Sequence, residues 1–290
     1  MPVTLNIRSD CYIYQIRKKI TRIPSSKIFN ANFLNYGTDG SNDAPTLTTE
    51  ASPKFTTIPA NTGIPSSTTG TLVSALVDKD GNLNNFSDID GDSPAIAIIG
   101  TNLNGGKLYF STNNGTDWSD VEAVSTTSAR VLYADSDTRL AFVPATDFTG
   151  TISDLITFKA WDRNGAANGD SGIATSPSLN FSSASDTASI EVTITISVAI
   201  NDGGDGYLNA AEASAVTIAG ITTGVEDGQT VSLSISDASN TVNTTATIDS
   251  NSYSVSSVDL STLDDGNLTI TADVSDLADN SATQASDTSS

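Results

Sequence analysis

The residues best able to do chemistry in this chain are carboxylates on alternate positions. Asp88-Ile-Asp90-Gly91-Asp92 sets three side chains of one charge side by side, next to a glycine that lets the loop turn. Like charges held that close repel unless a cation sits between them. Calcium takes six to eight oxygens at about 2.3–2.6 Å, and acidic loops of this kind supply several at once. Asp162-Arg-Asn164-Gly165 directly follows an apolar run ending at Trp161 and offers another carboxylate. Asp78-Lys-Asp80-Gly81 and the pair Asp135/Asp137 read instead as ordinary turns, which are built from Asp, Asn and Gly.

Composition removes most other chemistry. The 290 residues contain no histidine and one cysteine, Cys11. That excludes Ser-His-Asp and Cys-His catalysis, imidazole-bound zinc, an internal disulfide and a thiolate cluster. An enzyme would have to work through carboxylates alone, and nothing in the sequence sets two of them across an aromatic-lined cleft. The reading is therefore non-enzymatic, with Trp118 and Trp161 as core or hairpin residues. Thirteen basic residues against 34 acidic ones give a net charge of −21, which argues against nucleic acid and anionic membranes as partners. No apolar run is long enough to span a bilayer as a helix.

The charge is unevenly spread. Residues 1–42 carry six basic residues and two acidic ones, whereas residues 43–290 carry seven basic and 32 acidic, a net of −25. The first segment is expected to be a disordered leader or foreign to the mature chain. Its Cys11-Tyr-Ile-Tyr-Gln-Ile-Arg-Lys-Lys-Ile20 stretch lacks the apolar core and small-residue cleavage site of a secretory signal.

From residue 43 the texture is all-β: short runs rich in Val, Ile, Thr and aromatics, separated by Gly/Asn/Asp/Ser clusters. Strands are expected at 95–99, 107–110, 139–143, 155–161 and 188–196. In the last, Ile190, Val192, Ile194 and Ile196 alternate with Glu191, Thr193 and Thr195. Asn113-Asn114-Gly115 predicts a hairpin. Only 209–214 looks mildly helical. A boundary is expected near 197, where a glycine-aspartate cluster precedes a second strand series over 216–273. The fold class is thus all-β, two tandem antiparallel sandwiches over 43–196 and 197–290 after the leader. The closing Ala285-Ser-Asp-Thr-Ser-Ser290 reads as a piece of a longer chain or the end of a truncated gene product.

These residues also carry a resemblance. Asn42-Asp43-Ala44-Pro45, Asp88-x-Asp90 and Ala160-x-Asp162-x-x-Gly165 resemble the cadherin motif set. Residues 43–196 are similar to the cadherin-like and VCBS-type modules of giant bacterial surface adhesins and repeats-in-toxin exoproteins. The resemblance implies that Asn42, Asp43, Asp88, Asp90 and Asp162 converge on Ca2+. The linker Asp39-Gly-Ser-Asn-Asp43 is one residue longer than the family pattern, and no preceding module supplies the usual acidic partners. Residues 197–290, through Leu208-Asn-Ala-Ala-Glu-Ala213, Gly224-Val-Glu-Asp-Gly-Gln-Thr-Val231 and Leu268-Thr-Ile-Thr-Ala-Asp273, are similar to bacterial Ig-like modules.

Asn201-Asp-Gly-Gly-Asp205-Gly206-Tyr-Leu-Asn209-Ala-Ala-Glu212 resembles an EF-hand or dockerin-type loop. With Gly206 as the turn residue, Asn201, Asp205, Asn209 and Glu212 become ligands, while Gly203 leaves one position without a side-chain oxygen. A solvated glycine-rich linker with Asn209 as an N-cap explains the same residues. The first reading puts calcium at the joint between the sandwiches.

Together these features imply a calcium-stiffened structural or adhesive segment of a secreted or cell-surface protein. Its partners would be neighbouring modules, and cell-surface glycans or another surface protein. The alternative is a calcium-dependent carbohydrate- or ice-binding module, which would need a row of exposed aromatics or of regularly spaced threonines. Along the sequence the threonines look scattered.

Overall fold

The computed structural model describes residues 41–290 apart from Asp205, Ala238 and Ser290. The leader expected over 1–42 therefore lies outside the described residues, apart from its last two. The regular structure is almost entirely strand, as the composition implied. Among the described residues the one helical element is a 3-10 turn at Val73–Ala75. The stretch 209–214, expected to be helical, is instead a turn in which the Ala213 N–H donates to the Asn209 C=O at 2.9 Å. One turn fixes several dihedrals for a single hydrogen bond, so it does not propagate.

The first strands are β1 (Thr46–Leu47), β2 (Ile58–Pro59), β3 (Thr71–Leu72), β4 (Phe86–Ser87), β5 (Ala95–Thr101), β6 (Lys107–Ser111), β7 (Ser119–Asp120), β8 (Arg130–Tyr133), β9 (Arg139–Val143), β10 (Gly150–Trp161) and β11 (Asp186–Thr193). They form a five-stranded sheet ordered β2-β11-β10-β5-β8, a four-stranded sheet β3-β9-β6-β7, and a β1-β4 pair. Ile96, Ile98, Phe158 and Ile190 of the larger sheet share one buried cluster with Leu108, Leu140 and Phe142 of the smaller.

β5 explains why its sequence is apolar without alternating. Ile96 and Ile98 enter that cluster, while Ala95 and Ala97 enter a second one with Val131, Trp161 and Phe181 on the other face. A strand covered on both faces has no side left for polar residues. The cover comes from the segment after β10, which returns Phe181 over Trp161 with ring centroids 6.3 Å apart. The predicted hairpin forms between β6 and β7, with Asn114 and Gly115 at φ 56 and 83. A Cβ on Gly115 would meet the Ser67 carbonyl oxygen at 1.8 Å, so no other residue fits there.

The strand expected over 188–196 is split. β11 ends at Thr193; β12 (Thr195–Ile196) then leaves β10 and pairs with β14 (Val216–Thr223). β13 (Ala199–Asn201) and β17 (Ser252–Val258) also pair with β14. β15 (Thr230–Ser236), β16 (Thr241–Thr247), β18 (Leu268–Asp273) and β19 (Ala285–Ser289) form the facing sheet, ordered β16-β15-β18-β19. Val231, Leu233, Ile235 and Ile270 point into its core with Ile218 and Tyr253.

The outer face of that sheet corrects the picture of scattered threonines. Thr241, Ser236, Thr269 and Thr288 stand in one cross-strand row, and Asn243, Ser234, Thr271 and Ser286 in the next. They are far apart in sequence and adjacent in space because antiparallel pairing aligns positions of like parity.

The β15–β16 hairpin hangs on Asp237. Its carboxyl is held well below the usual carboxylate range by the backbone N–H groups of Asn240 and Asp264, with Ser239 adding to them. A depressed folded value supplies stability above about pH 4 that is lost as pH falls through it. Asp237→Asn is therefore expected to lower the melting temperature near neutral pH and to flatten the acid limb of a melting-temperature series taken down to about pH 2.5. An unchanged acid limb would remove Asp237 from that role.

Candidate metal centre

β10 ends at Trp161, which is fully buried, so Asp162 begins its loop from a fixed point and is itself only 2% exposed. Burying a carboxylate requires hydrogen-bond donors or a cation. Its Oδ1 accepts the Asn164 N–H at 2.8 Å and its Oδ2 the Asn42 amide at 2.7 Å. Asn42 is held in turn by the Leu179 carbonyl at 3.1 Å.

β4 delivers the second loop. Asp88 Oδ1 accepts the N–H groups of Asp90 at 2.8 Å and Asp92 at 3.3 Å. Asp88 Oδ2 is buried and has no hydrogen-bond partner. Asp90 Oδ2 is engaged by the Asp43 N–H at 2.7 Å. Oxygens of Asp88, Asp92 and Asp162 all lie within 4.8 Å of one another. Burial pushes the Asp92 carboxyl above its ordinary value, and the charges of Asp88, Asp162 and Asp90 push it further; the Asn164 amide, donating at 3.2 Å, opposes them. Asn164 also bonds Asn42, which ties the three chain segments together.

No basic side chain neutralises the cluster among the described residues. The ion pair found there is Arg130–Glu122, elsewhere on the sheet. Arg163, next to Asp162 in sequence, turns its guanidinium to the Pro94 and Ala134 carbonyls and stacks over Tyr133 at 4.5 Å. It braces the 88–94 loop against the end of β10 without joining the carboxylates.

The structure thus gathers Asn42, Asp43, Asp88, Asp90 and Asp162 at one corner. Asp43 and Asp90 engage each other while Asp88 and Asp162 face Asp92. Asp92 and Asn164 were not among the residues carried over by the resemblance. Asp92 was visible as the third acid of the loop, whereas Asn164 had no signal beyond its turn position. The donor set is all oxygen, which suits a hard cation such as calcium.

The 201–212 loop is built differently. Asn201 accepts the Gly203 N–H at 3.3 Å. Asn209 and Glu212 satisfy each other, with the Asn209 N–H donating to Glu212 Oε2 at 2.9 Å and the Glu212 N–H to Asn209 Oδ1 at 3.2 Å. That reciprocal pair is a capping box. Asp205 lies outside the described residues. The Ser289 hydroxyl donates to Asp202 Oδ2 at 3.2 Å and to the Gly206 carbonyl at 3.4 Å, which ties the loop to β19.

Other loops connect the two groups of sheets. The Asn61 amide donates to Glu226 Oε1 at 2.7 Å and accepts the Asp147 N–H at 3.0 Å, while Asn280 donates to the Asp147 carbonyl at 3.2 Å. Sequence reasoning missed these contacts, which lie in four separate loops.

No family model matches this chain. No curated protein matches it either. Among solved structures it is similar to a tetra-tandem repeat in the extending region of a large adhesion protein, at 23% identity and TM-score 0.28, over 66% of this chain and 42% of that one. It is also similar to part of a 1.5-MDa bacterial ice-binding adhesin, at 16% identity and TM-score 0.26, over 71% and 54%. A third is a Ca2+-stabilized adhesin with which an Antarctic bacterium binds ice, at 21% identity and TM-score 0.24, over 68% and 44%. The chain spans about half the length of these structures.

Asp92 separates a cation site from a merely acidic corner. With chelator, Asp92→Asn removes a charge that burial and its neighbours disfavour, so the variant is expected to melt above the unmodified protein. With saturating calcium the same variant is expected to melt below it. Shifts of one sign in both buffers would take the triad out of cation binding.

Proposed function

We propose that this chain is a structural and adhesive segment of a secreted or cell-surface protein, stiffened by calcium. The observation that carries the reading is the convergence of Asp88, Asp92 and Asp162, with Asp88 Oδ2 buried and unpartnered. A hard cation supplies what that oxygen and the three charges lack. Asn42 and Asp43 lead into β1, and Asp162 closes β10, so one ion would clamp the start of the sheets to the end of their central strand. The chain reads as two modules, over 43–196 and 197–290, in a longer array whose partners are further modules. The joint through Asn61, Asp147, Glu226 and Asn280 fixes their direction.

A net charge of −25 over these residues favours expansion. Extracellular calcium sites, with dissociation constants of about 10⁻⁴–10⁻³ M, stay empty in a cytosol and fill outside the cell. A chain exported loose would then rigidify where it works, with no disulfide needed.

Melting the full chain in EDTA, in millimolar calcium and in millimolar magnesium tests this. Calcium at about a hundredfold over its dissociation constant is expected to add roughly 2.7 kcal/mol per site. Magnesium, which demands a tighter octahedral shell, is expected to add less, and Asp88→Ala is expected to abolish most of the calcium effect. Identical melts in all three buffers would sink the proposal.

The hydroxyl rows on β16, β15, β18 and β19 favour a second reading, a module that binds ice or a regular polysaccharide. Strand spacing of about 4.8 Å gives those rows a fixed repeat. The sheet's twist of roughly 20–25° per strand confines any lattice match to neighbouring strands. The protein would then concentrate in slowly grown ice, and Thr271→Tyr would reverse it. Partition equal to that of an unrelated acidic protein, with no glycan captured on an array, leaves the structural reading alone.

A further inference from the structure

A sheet edge is a row of unpaired N–H and C=O groups, and natural proteins blunt such rows by shortness, charge, proline, bulges or cover. Among the described residues nearly every edge here is treated in one of those ways. β3, β7 and β12 have two residues each and β13 has three, and β7 carries Asp120. β2 ends in Pro59. β8 is covered by the following loop, through Val131 N–H to the Asp170 carbonyl at 3.0 Å and Gly169 N–H to the Val131 carbonyl at 2.9 Å. β17 is offset opposite Val216 and Ile218, with Ser257 at φ 60. β19 carries Asp287.

β16 is the exception. Thr241-Val-Asn-Thr-Thr-Ala-Thr247 is seven residues long, with no charge, proline or glycine. It pairs with β15 in unbroken register from Thr230↔Thr247 to Ser236↔Thr241, and none of its residues has a positive φ. Its other edge is the end of the sheet; β17 follows it through the turn at Asp249 and lies near it but pairs with β14, so no ladder covers this edge. A regular neutral strand has been left as a template in a protein whose net charge is −21.

The sequence also says what it would pair with. Paired antiparallel with a second copy about Thr244, the strand would set Thr241 opposite Thr247, Val242 opposite Ala246 and Asn243 opposite Thr245, so that small or neutral side chains meet at every position. We propose that β16 is a homotypic docking edge, on which two copies of this chain pair antiparallel about a two-fold axis at Thr244. Such an interface is isologous, each contact occurring twice. The exposed residues Thr241, Asn243, Thr245 and Thr247 stay on the outer face, while Val242 and Ala246 meet on the core side. Two four-stranded sheets become one of eight strands, and the hydroxyl rows run across the junction.

The arrangement fixes the sign of its salt dependence. Asp237 and Asp264 lie at the Thr241 end of the strand and Asp249 at the Thr247 end. Antiparallel pairing brings Asp249 of each copy near Asp237 and Asp264 of the other, so salt screens repulsion and strengthens association.

Sedimentation of the full chain over a range of concentration and salt tests the proposal. A reversible monomer–dimer equilibrium that tightens with sodium chloride is expected. Thr245→Glu, on the exposed face, places like charges diagonally across the axis and is expected to weaken dimerisation roughly tenfold without lowering the melting temperature. In a Cys11→Ser background, Thr244→Cys is expected to form an intermolecular disulfide on mild oxidation. The facing Cα atoms of an antiparallel pair lie about 4.5–5.5 Å apart, within disulfide reach. Thr269→Cys, on the inner strand β18, is expected to stay reduced. A protein monomeric at every concentration and salt overturns the proposal, and so does a dimer indifferent to Thr245→Glu whose Thr244→Cys and Thr269→Cys variants cross-link equally.

Discussion

A carboxylate at the buried end of a central strand sets the terms for the first sheets. β10 pairs with β5 on one side and β11 on the other, and Trp161 at its end is covered by Phe181 and Tyr133. Asp162 cannot retreat into solvent without uncovering that aromatic layer. Donors must therefore come to it, and they come from Asn42 at the entrance to β1 and from Asn164 in its own turn. The entry segment, the 88–92 loop and the end of β10 are held together by this one need.

The abundance of aspartate follows from a related use. Asp has one methylene fewer than Glu, so its oxygens reach N–H groups of the same turn, here two to six residues further on. Asp78 bonds the N–H groups of Gly81, Leu83 and Asn84; Asp135 bonds those of Asp137 and Thr138; Asp276 bonds those of Ala278 and Asn280. These are turns closed by their own side chains, which agrees with reading Asp78 and Asp135 as turn residues. Asp88 begins in the same way and then departs from it. One of its oxygens closes the turn and the other is buried with nothing to accept. Spacing alone does not distinguish Asp88 from Asp135; the difference lies in what packs around the second oxygen.

The two groups of sheets share one buried apolar cluster, which runs through Ala60, Ile194 and Val225, and amides and loops join them beside it. Gly224 lies against Ala60 and Ile194 so closely that a Cβ would sit 3.0 Å from the Ala60 nitrogen. Beside it Asn61 joins Glu226 to the Asp147 backbone. Burial, the Glu226 hydrogen bond and the charges of Glu226 and Asp276 together raise the Asp147 carboxyl above its ordinary value. Glu226 is one of five glutamates in an aspartate-dominated chain. It spans the gap with both oxygens engaged, by Asn61 on one side and the Leu277 N–H on the other.

Local pattern alone determined that the chain is all-β, that 113–115 turns a hairpin, and that Asp88, Asp90 and Asp162 belong to acidic loops at strand ends. Those features depend on residues within a few positions of one another, where alternation and turn chemistry act. The continuous apolar run of β5 was legible as a strand, but its second buried face depends on Phe181, far along the chain. The break at Ile194 was invisible, because the alternation continues across it while the pairing partner changes from β10 to β14. Asn164 as a bridge, Arg163 as a brace, the joint through Asn61 and Glu226, and the in-register hydroxyl rows were likewise decided by tertiary structure. Each depends on which loops and strands the topology brings together, and antiparallel pairing sets residues dozens of positions apart within one hydrogen-bond length.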